Sequence, residues 1–402
     1  MKLRAGHLTY CTNIHAGESW GNHFESLRAN FPLIKQLVSP HQRMGIGLRL
    51  SNTASVELQN SDRLAEFKSW LIESNAYVFT MNGFPYGDFH HAVVKDQVHA
   101  PDWTTKERVD YTLRMFDILA ELLPEGIDGG ISTSPLSYRY WHQSSEKLSR
   151  ATSTATSNII CVLEKLIQFK TTHGTVMHLD IEPEPDGLLE TGREFIDWYQ
   201  NVLLPEAKNT LGGKLSMSAD AIDEAVREHI CLCYDVCHFA IGYEPHQEIL
   251  NELASKDMRI GKIQISAALK SDLPVDVSSR KAISEAFEKF NEPTYLHQVV
   301  ASTKYEELIR YRDLPQALDD IENPEVNEWR AHFHVPVFLE DLGILKSTQS
   351  DIIEVLRIQN AKSFTEHLEV ETYTWEVLPA YLKVPIHQCI VRELNWVKDV
   401  LE

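Results

Sequence analysis

Val176-Met177-His178-Leu179-Asp180-Ile181-Glu182 is an alternating run that the following Pro183-Glu184-Pro185-Asp186 cuts short. Read as a strand, it sets His178, Asp180, Glu182 and Glu184 on one face as long as the chain stays extended. A face so crowded with carboxylates is costly inside a protein unless the groups bind a cation or pair with bases. Glu182 stands at the strand end, where Pro183 removes the next ladder donor. Pro185 and Asp186 read equally well as a solvated acidic loop.

Working outward, short β-rich runs alternate with longer helical stretches, the pattern of parallel βα units. Eight barrel strands are expected near 8–14, 44–50, 77–82, 127–132, 176–182, 230–236, 261–267 and 366–373. Ser61 is placed to cap a helix in which Leu64, Phe67 and Leu71 share a face. Thr104 with Glu107, and Thr191 with Glu194, fit the Ser/Thr-x-x-Glu capping box. Val109, Leu113, Phe116, Leu119 and Leu123 repeat with helical spacing up to Pro124. The expected fold is an α/β, (β/α)8 TIM barrel with an extended insertion between strands seven and eight.

Roughly a hundred residues separate those two strands, far beyond the short connections usual in this architecture. The spacing predicts a helix near 278–291, a β-run over 295–300, a helix near 304–321 and a second β-run over 331–338. The interval reads as a rim insertion, about 270–340, within a single domain covering 1–402. No Pro/Gly/Ser linker divides the chain.

Lys and Arg number 38 against 58 Asp and Glu, a formal net charge of −20. Phosphate neutralisation dominates nucleic-acid affinity, so this balance argues against DNA, RNA or anionic membrane surfaces as partners. No uncharged apolar run of about 18 residues is present, and the start lacks a signal-peptide pattern. Cys11, Cys161, Cys231, Cys233, Cys237 and Cys389 are too unevenly spaced for a disulfide framework, and a cytoplasmic setting is expected.

Barrel enzymes carry their chemistry at the C-terminal ends of strands. On the sixth, Asp235 and His238 can converge if the chain bends after Asp235; a carboxylate with an imidazole suits Zn²⁺, Mn²⁺ or Fe²⁺. A thiolate site from Cys231, Cys233 and Cys237 is the rival, but the first two share a strand face without CxxC spacing. His332 and His334 lie on one face of a β-run, where they can reach one ion or simply line a half-exposed strand. On strand eight His367, Glu369 and Glu371 align; Glu371 is nearer the C-terminal end, and Glu369 can pair within the barrel. His15, with Asn13, ends strand one and can bind substrate hydroxyls or serve locally. Asn82-Gly83-Phe84-Pro85-Tyr86 ends strand three and can shape the pocket wall, with Asn82 expected at the substrate. His90 and His91 follow it, although adjacency is weak support for a shared ion.

Glu-Pro after strand five, Asp-x-x-His after strand six, His-x-His later and Glu-Thr at strand eight resemble the xylose-isomerase-like superfamily. That group includes sugar isomerases, ketose epimerases and the endonuclease-four type of DNA repair enzymes. Longer strings resemble, across essentially the whole chain, the EboE type of metabolite-traffic proteins encoded in ebo clusters. They are His7-Leu8-Thr9-Tyr10-Cys11-Thr12-Asn13-Ile14-His15, the stretch 182–186, Asp235-Val236-Cys237-His238, Gly261-Lys262-Ile263-Gln264-Ile265-Ser266 and His332-Phe333-His334-Val335-Pro336.

The resemblance implies Glu182, Asp235 and Glu371 as carboxylate ligands of a divalent metal ion (Zn, Mn or Fe), with His238 a ligand or substrate holder. His334 would join them, alone or with His332 beside the substrate. Many relatives place a metal-binding histidine at the end of strand seven; here Gln264 and Ser266 stand there, and Gln264 is expected near the substrate. The implied activity is proton transfer in a small polyol or carbohydrate-like metabolite, with Glu182 and Glu371 as the catalytic pair. A metabolite-binding, hand-over role with other ebo-cluster proteins is the alternative. Metal-dependent phosphodiester hydrolysis fits less well, given the acidic composition and the absent strand-seven histidine.

Overall fold

The computed structural model describes residues 1–90 and 92–402, so His91 lies outside the described residues. Eight parallel strands run in chain order as Gly6–Tyr10, Met44–Arg49, Ala76–Asn82, Gly129–Thr133, Met177–Ile181, Ile230–Asp235, Ile260–Ile265 and His367–Val370. Each neighbours the next in space, and the eighth pairs with both the seventh and the first. The sheet closes between strands one and two through a parallel bridge, Cys11 to Gly47, and a 2.9 Å bond from the Thr9 hydroxyl to the Gly45 carbonyl. This is a (β/α)8 barrel. The short pair Lys2–Leu3 folds back antiparallel on strand one.

Gly47 is required by its surroundings. A Cβ there would overlap the Glu369 carboxylate and lie 2.8 Å from the Tyr10 carbonyl oxygen. The Glu369 carboxylate occupies that space to meet Lys262 Nζ at 2.8 Å, both residues fully buried in the barrel. Lys262 also donates to Met81 O (3.0 Å) and Ser132 Oγ (3.3 Å). Glu369 thus pairs inside the barrel, beneath the rim.

Strand seven leads, after Ser266 alone, into a second sheet. Its six antiparallel strands lie in the order Leu308–Tyr311, Val299–Thr303, Val326–Val335, Ala267–Asp272, Leu345–Ser347 and Asp341–Leu342. Val326–Val335 pairs regularly with Ala267–Asp272 up to Ala331↔Leu269. The register then shifts, so that Val335 opposes Ala267. His332, Phe333 and His334 therefore occupy a bulge, the device by which sheets re-aim side chains beside sites. Arg280, on the helix Val277–Phe287, ties this region together. Its buried guanidinium donates to the carbonyls of Pro274, Ile321, Asn323 and Val326 at 2.6–2.9 Å.

The helix expected over 304–321 is absent. Thr303 N donates to Glu307 O at 2.9 Å around a turn in which Glu306 has φ 63°, which reverses the chain into the strand Leu308–Tyr311. Only Leu314–Asp319 is helical, capped by Asp313. The β-run expected over 295–300 begins later, at Val299, and the one over 331–338 begins at Val326 and ends before Pro336.

Two caps also differ by one residue. Asn60, not Ser61, caps Ser61–Glu73, and Thr105, not Thr104, caps Lys106–Leu122, because the Thr104 hydroxyl is held by Asp102 at 2.5 Å. Thr191 and Glu194 form the full reciprocal box. Among the described residues no helix is long and apolar enough to cross a membrane.

Candidate metal and substrate site

The sixth strand ends at Asp235, and the bend anticipated there is the start of a helix, Val236–Ile241. Asp235 is its cap. Oδ1 accepts from the His238 backbone N–H (3.1 Å) and the Ser266 hydroxyl (2.7 Å). Oδ2 has no hydrogen-bond partner and lies 3.9 Å from His238 Nε2. Capping thus fixes the carboxylate and turns the imidazole back over it.

Three imidazoles share one pattern. His238 Nδ1 is 3.1 Å from Pro183 O, His332 Nδ1 is 2.9 Å from Gln298 Oε1, and His334 Nδ1 is 3.2 Å from Glu371 O. The Gln298 amide is oriented by its own Nε2 donating to Pro185 O at 3.2 Å. Each acceptor takes the Nδ1 proton, so each Nε2 carries a lone pair. Burial holds all three rings below the usual imidazole range, His334 at about 4, so they are neutral near pH 7. The Nε2 atoms of His238 and His332 nevertheless face each other at 3.1 Å, and His334 Nε2 has no partner. Two lone pairs at that distance repel unless a proton or a metal ion joins them.

The carboxylates point to the same conclusion. Glu182 follows strand five, its N–H donating to Thr133 O (3.0 Å); Oε1 is 3.9 Å from His238 Nδ1 and Oε2 is unpartnered. Glu371 follows strand eight, with Oε1 accepting 2.8 Å bonds from both Asn13 and Asn82. Burial, then the neighbouring carboxylates, pushes Glu182 and Glu371 well above the usual range. Asp235 is held below it: burial opposes ionisation, but the nearby His238 and His334 rings and the bonds from the Ser266 hydroxyl and the His238 N–H, which favour the ionised form, outweigh it. Suitable ligand atoms of Asp235, His238 and His334 all lie within 4.8 Å of one another, as do those of Glu184, His238 and His332. Orphaned carboxylate oxygens and tautomer-locked imidazoles are the donor set a transition-metal ion takes.

Above them lies a narrow cleft with a cavity volume of about 60 Å³. Glu182, His238, His332, His334, Glu371 and Asn82 line it. Asp235 lies just beneath, fully buried. Two residues expected at the substrate stand elsewhere. His15 is held off the cleft by Tyr10, whose hydroxyl is 3.2 Å from its Nε2. Gln264 is sealed inside the barrel, its Oε1 accepting from the Cys233 thiol at 2.9 Å.

The rival cysteine site is not formed as a unit. Cys231 bonds Glu228 O and Cys233 bonds Gln264, and burial keeps all three thiols protonated.

The sequence reading did not anticipate His99, on the cleft wall with Nε2 3.1 Å from Glu184 Oε1, or Gln298 and Tyr373. Their positions depend on loops without a local pattern, and only the carboxylate-rich run 182–186 hinted at Glu184.

No protein-family model matches the chain, and no curated protein does. Solved structures do. A xylose isomerase-like TIM barrel protein from Mycobacterium smegmatis in complex with magnesium is similar over 100% of this chain and 98% of its own, at 9% identity and TM-score 0.50. An IolI protein with a bound zinc atom covers 98% of both chains at 13% identity and TM-score 0.47. A D-tagatose 3-epimerase-like protein covers 98% of this chain and 97% of its own, at 12% identity and TM-score 0.46. The likeness is one of fold.

Proposed function

We propose that this chain is a divalent-metal-dependent enzyme that isomerises or epimerises a small, uncharged polyol or carbohydrate-like metabolite. The observation that carries this is the contact between His238 and His332, two neutral imidazoles with facing lone pairs beside the unpartnered oxygens of Asp235 and Glu182. Glu182, Asp235, His238, His334 and Glu371 would hold the ion, and His332 Nε2, facing His238, would offer it a further nitrogen. When bound, a zinc-, manganese- or iron-class ion supplies Lewis-acid polarisation of a substrate oxygen.

The remaining work falls to the chain. Glu182 and Glu371 stand on strands five and eight of the ring, so they can address a substrate from opposite sides and exchange a proton with the carbon beside its carbonyl. Asn13 and Asn82 clamp Glu371 Oε1 and fix the carboxyl plane. His99 and Glu184 offer polar atoms to hydroxyls, while Phe84, Phe89, Tyr295 and Tyr373 give the cleft apolar walls that limit water. Lys95 is the one Lys or Arg among the described lining residues, and it is already paired with Asp313 at 2.7 Å. A phosphorylated substrate would find acidic walls and no free cation; a neutral polyol suits them.

This reading has the barrel and its rim sheet work as one unit, in the cytoplasm, on a small molecule and not on nucleic acid. Resemblance of its motifs to the EboE type supports, within this proposal, a substrate among secondary-metabolite precursors. The test is incubation of Zn²⁺- or Mn²⁺-loaded protein with ketopentoses, ketohexoses and cyclic polyol ketones in D₂O. Deuterium should appear at the carbon beside the carbonyl and should be lost in Glu182→Gln and Glu371→Gln. Binding without deuterium incorporation would favour hand-over, and cleavage of an abasic-site duplex would favour hydrolysis.

A further inference from the structure

A second set of ligating side chains lies away from the cleft, against the residues that begin the barrel strands. His178 is the second residue of strand five, His367 opens strand eight, and Asp128 directly precedes strand four. His178 Nδ1 is 2.6 Å from Asp180 Oδ1, so its proton is committed to that carboxylate. His178 Nε2 hydrogen-bonds nothing and faces Asp128 Oδ2 at 3.7 Å. A ring nitrogen so close to a carboxylate calls for a positive charge between them, which a proton or a metal ion supplies.

His367 Nε2 contacts the other oxygen, Asp128 Oδ1, at 3.2 Å, and its Nδ1 is unpartnered. Both histidines are 1% exposed and Asp180 is fully buried. Atoms from Asp128, His178 and His367 lie within 4.8 Å of one another.

The barrel makes room for this group. A Cβ on Gly261 would collide with the Asp180 carboxylate and sit 2.7 Å from His178 Nδ1; one on Gly130 would lie 2.7 Å from Asp180 Oδ2. Arg259 holds Asp128 Oδ2 at 3.0 Å and fixes the carboxylate plane. Asp128 and Asp180 against Arg259 leave about one negative charge, before any proton is displaced, to receive a dication.

We infer that Asp128, His178 and His367 form a second transition-metal site, of Zn²⁺ type, at the floor of the barrel. Asp180 acts there as the outer partner of His178, in the carboxylate–histidine–metal arrangement that orients ligating imidazoles. The ion would replace the proton between His367 and Asp128 and lie against the orphaned His178 Nε2. Strands five and eight are separated by strands six and seven in the sheet, so the ion would brace the barrel across its floor.

The test is the zinc count after equilibrium dialysis against Zn²⁺, read by mass spectrometry. The native chain should hold two per molecule, a number that rests in part on the cleft reading. A cleft variant, Asp235→Asn with His334→Ala, isolates the floor and should keep one. Adding His367→Gln, or Asp128→Asn at the more exposed position, should take it to zero. A cleft variant that binds no zinc and gains no thermal stability from it overturns the floor site, even if the floor variants fail to fold. Retention of its zinc after either floor substitution overturns it as well. If the native chain holds one zinc, lost with the floor substitutions and kept in the cleft variant, the cleft reading fails and the floor site stands.

Discussion

His238 and His332 meet Nε2 to Nε2 at 3.1 Å across 94 residues of sequence, one from the helix after strand six and the other from the bulge of the rim sheet. Their Nδ1 protons are spoken for by Pro183 and Gln298. If a cation belongs between such rings, removing one should weaken metal binding and cost little in the metal-free fold. His238→Ala and His334→Ala are expected to lower bound metal sharply while changing apo stability by about 1 kcal/mol. Gln298→Leu, which frees the His332 tautomer along with the Pro185 carbonyl, should weaken Zn²⁺ roughly 10–100-fold. Metal content and thermal unfolding decide; full occupancy with a large loss of stability would refute the ligand roles.

Lys262 and Glu369 make a contrasting prediction. Both are fully buried and 2.8 Å apart. Lys262→Met strands the Glu369 charge and should cost about 3–5 kcal/mol in urea unfolding. The double change Lys262→Met with Glu369→Leu should recover much of that. A double variant no better than the single would show that the other Lys262 bonds matter more than the pair.

Stability should also depend on pH through Glu393, which is not one of the proposed metal ligands. Its Oε1 accepts from the Thr372 hydroxyl at 2.7 Å and from Val337 N–H at 3.4 Å, and burial raises it from 4.5 to about 7. A raised carboxyl is favoured in its protonated form by the fold. Its contribution is therefore complete below about pH 4.5 and is lost as pH rises through 7. Glu393→Gln should flatten that decline, a change of a few kcal/mol in the difference between pH 4.5 and 7.5. An unchanged profile by chemical denaturation would remove Glu393 as its source.

Arg280 should matter for the rim without touching the cleft. Arg280→Lys cannot reach four carbonyls with a point charge in place of a planar fork. We expect a loss on the order of 3 kcal/mol, faster hydrogen exchange in Val326–Val335, and weaker metal binding as His332 and His334 lose their support. Normal exchange in that strand would contradict the assignment.

The barrel was legible because strand alternation and helical spacing are local properties, and the eight strands lie within a few residues of expectation. Asp235 and His238 could be paired from sequence because a cap joins them across three positions. The hairpin at 303–311 was not legible, since Leu308, Ile309 and Tyr311 also suit a helix and only the left-handed turn at Glu306 excludes it. His99 and Gln298 reach the cleft through contacts between distant segments, which no periodicity encodes. Gln264 was misplaced for a related reason: its position on strand seven is right, but the Cys233 thiol and closed packing keep it from the cleft.

The bulge in Val326–Val335 divides the cleft's donors by origin. Oxygen donors Glu182, Asp235 and Glu371 come from the ends of barrel strands, whereas two of the three nitrogen donors, His332 and His334, arrive on the second sheet. With that sheet unseated, the barrel would keep an oxygen-rich, hard site suited to Mg²⁺ or Mn²⁺; with it docked, the site becomes softer and turns toward Zn²⁺. Metal preference would then be a property of how two sheets meet, and selection acting on the rim alone could retune the ion without altering a single barrel strand.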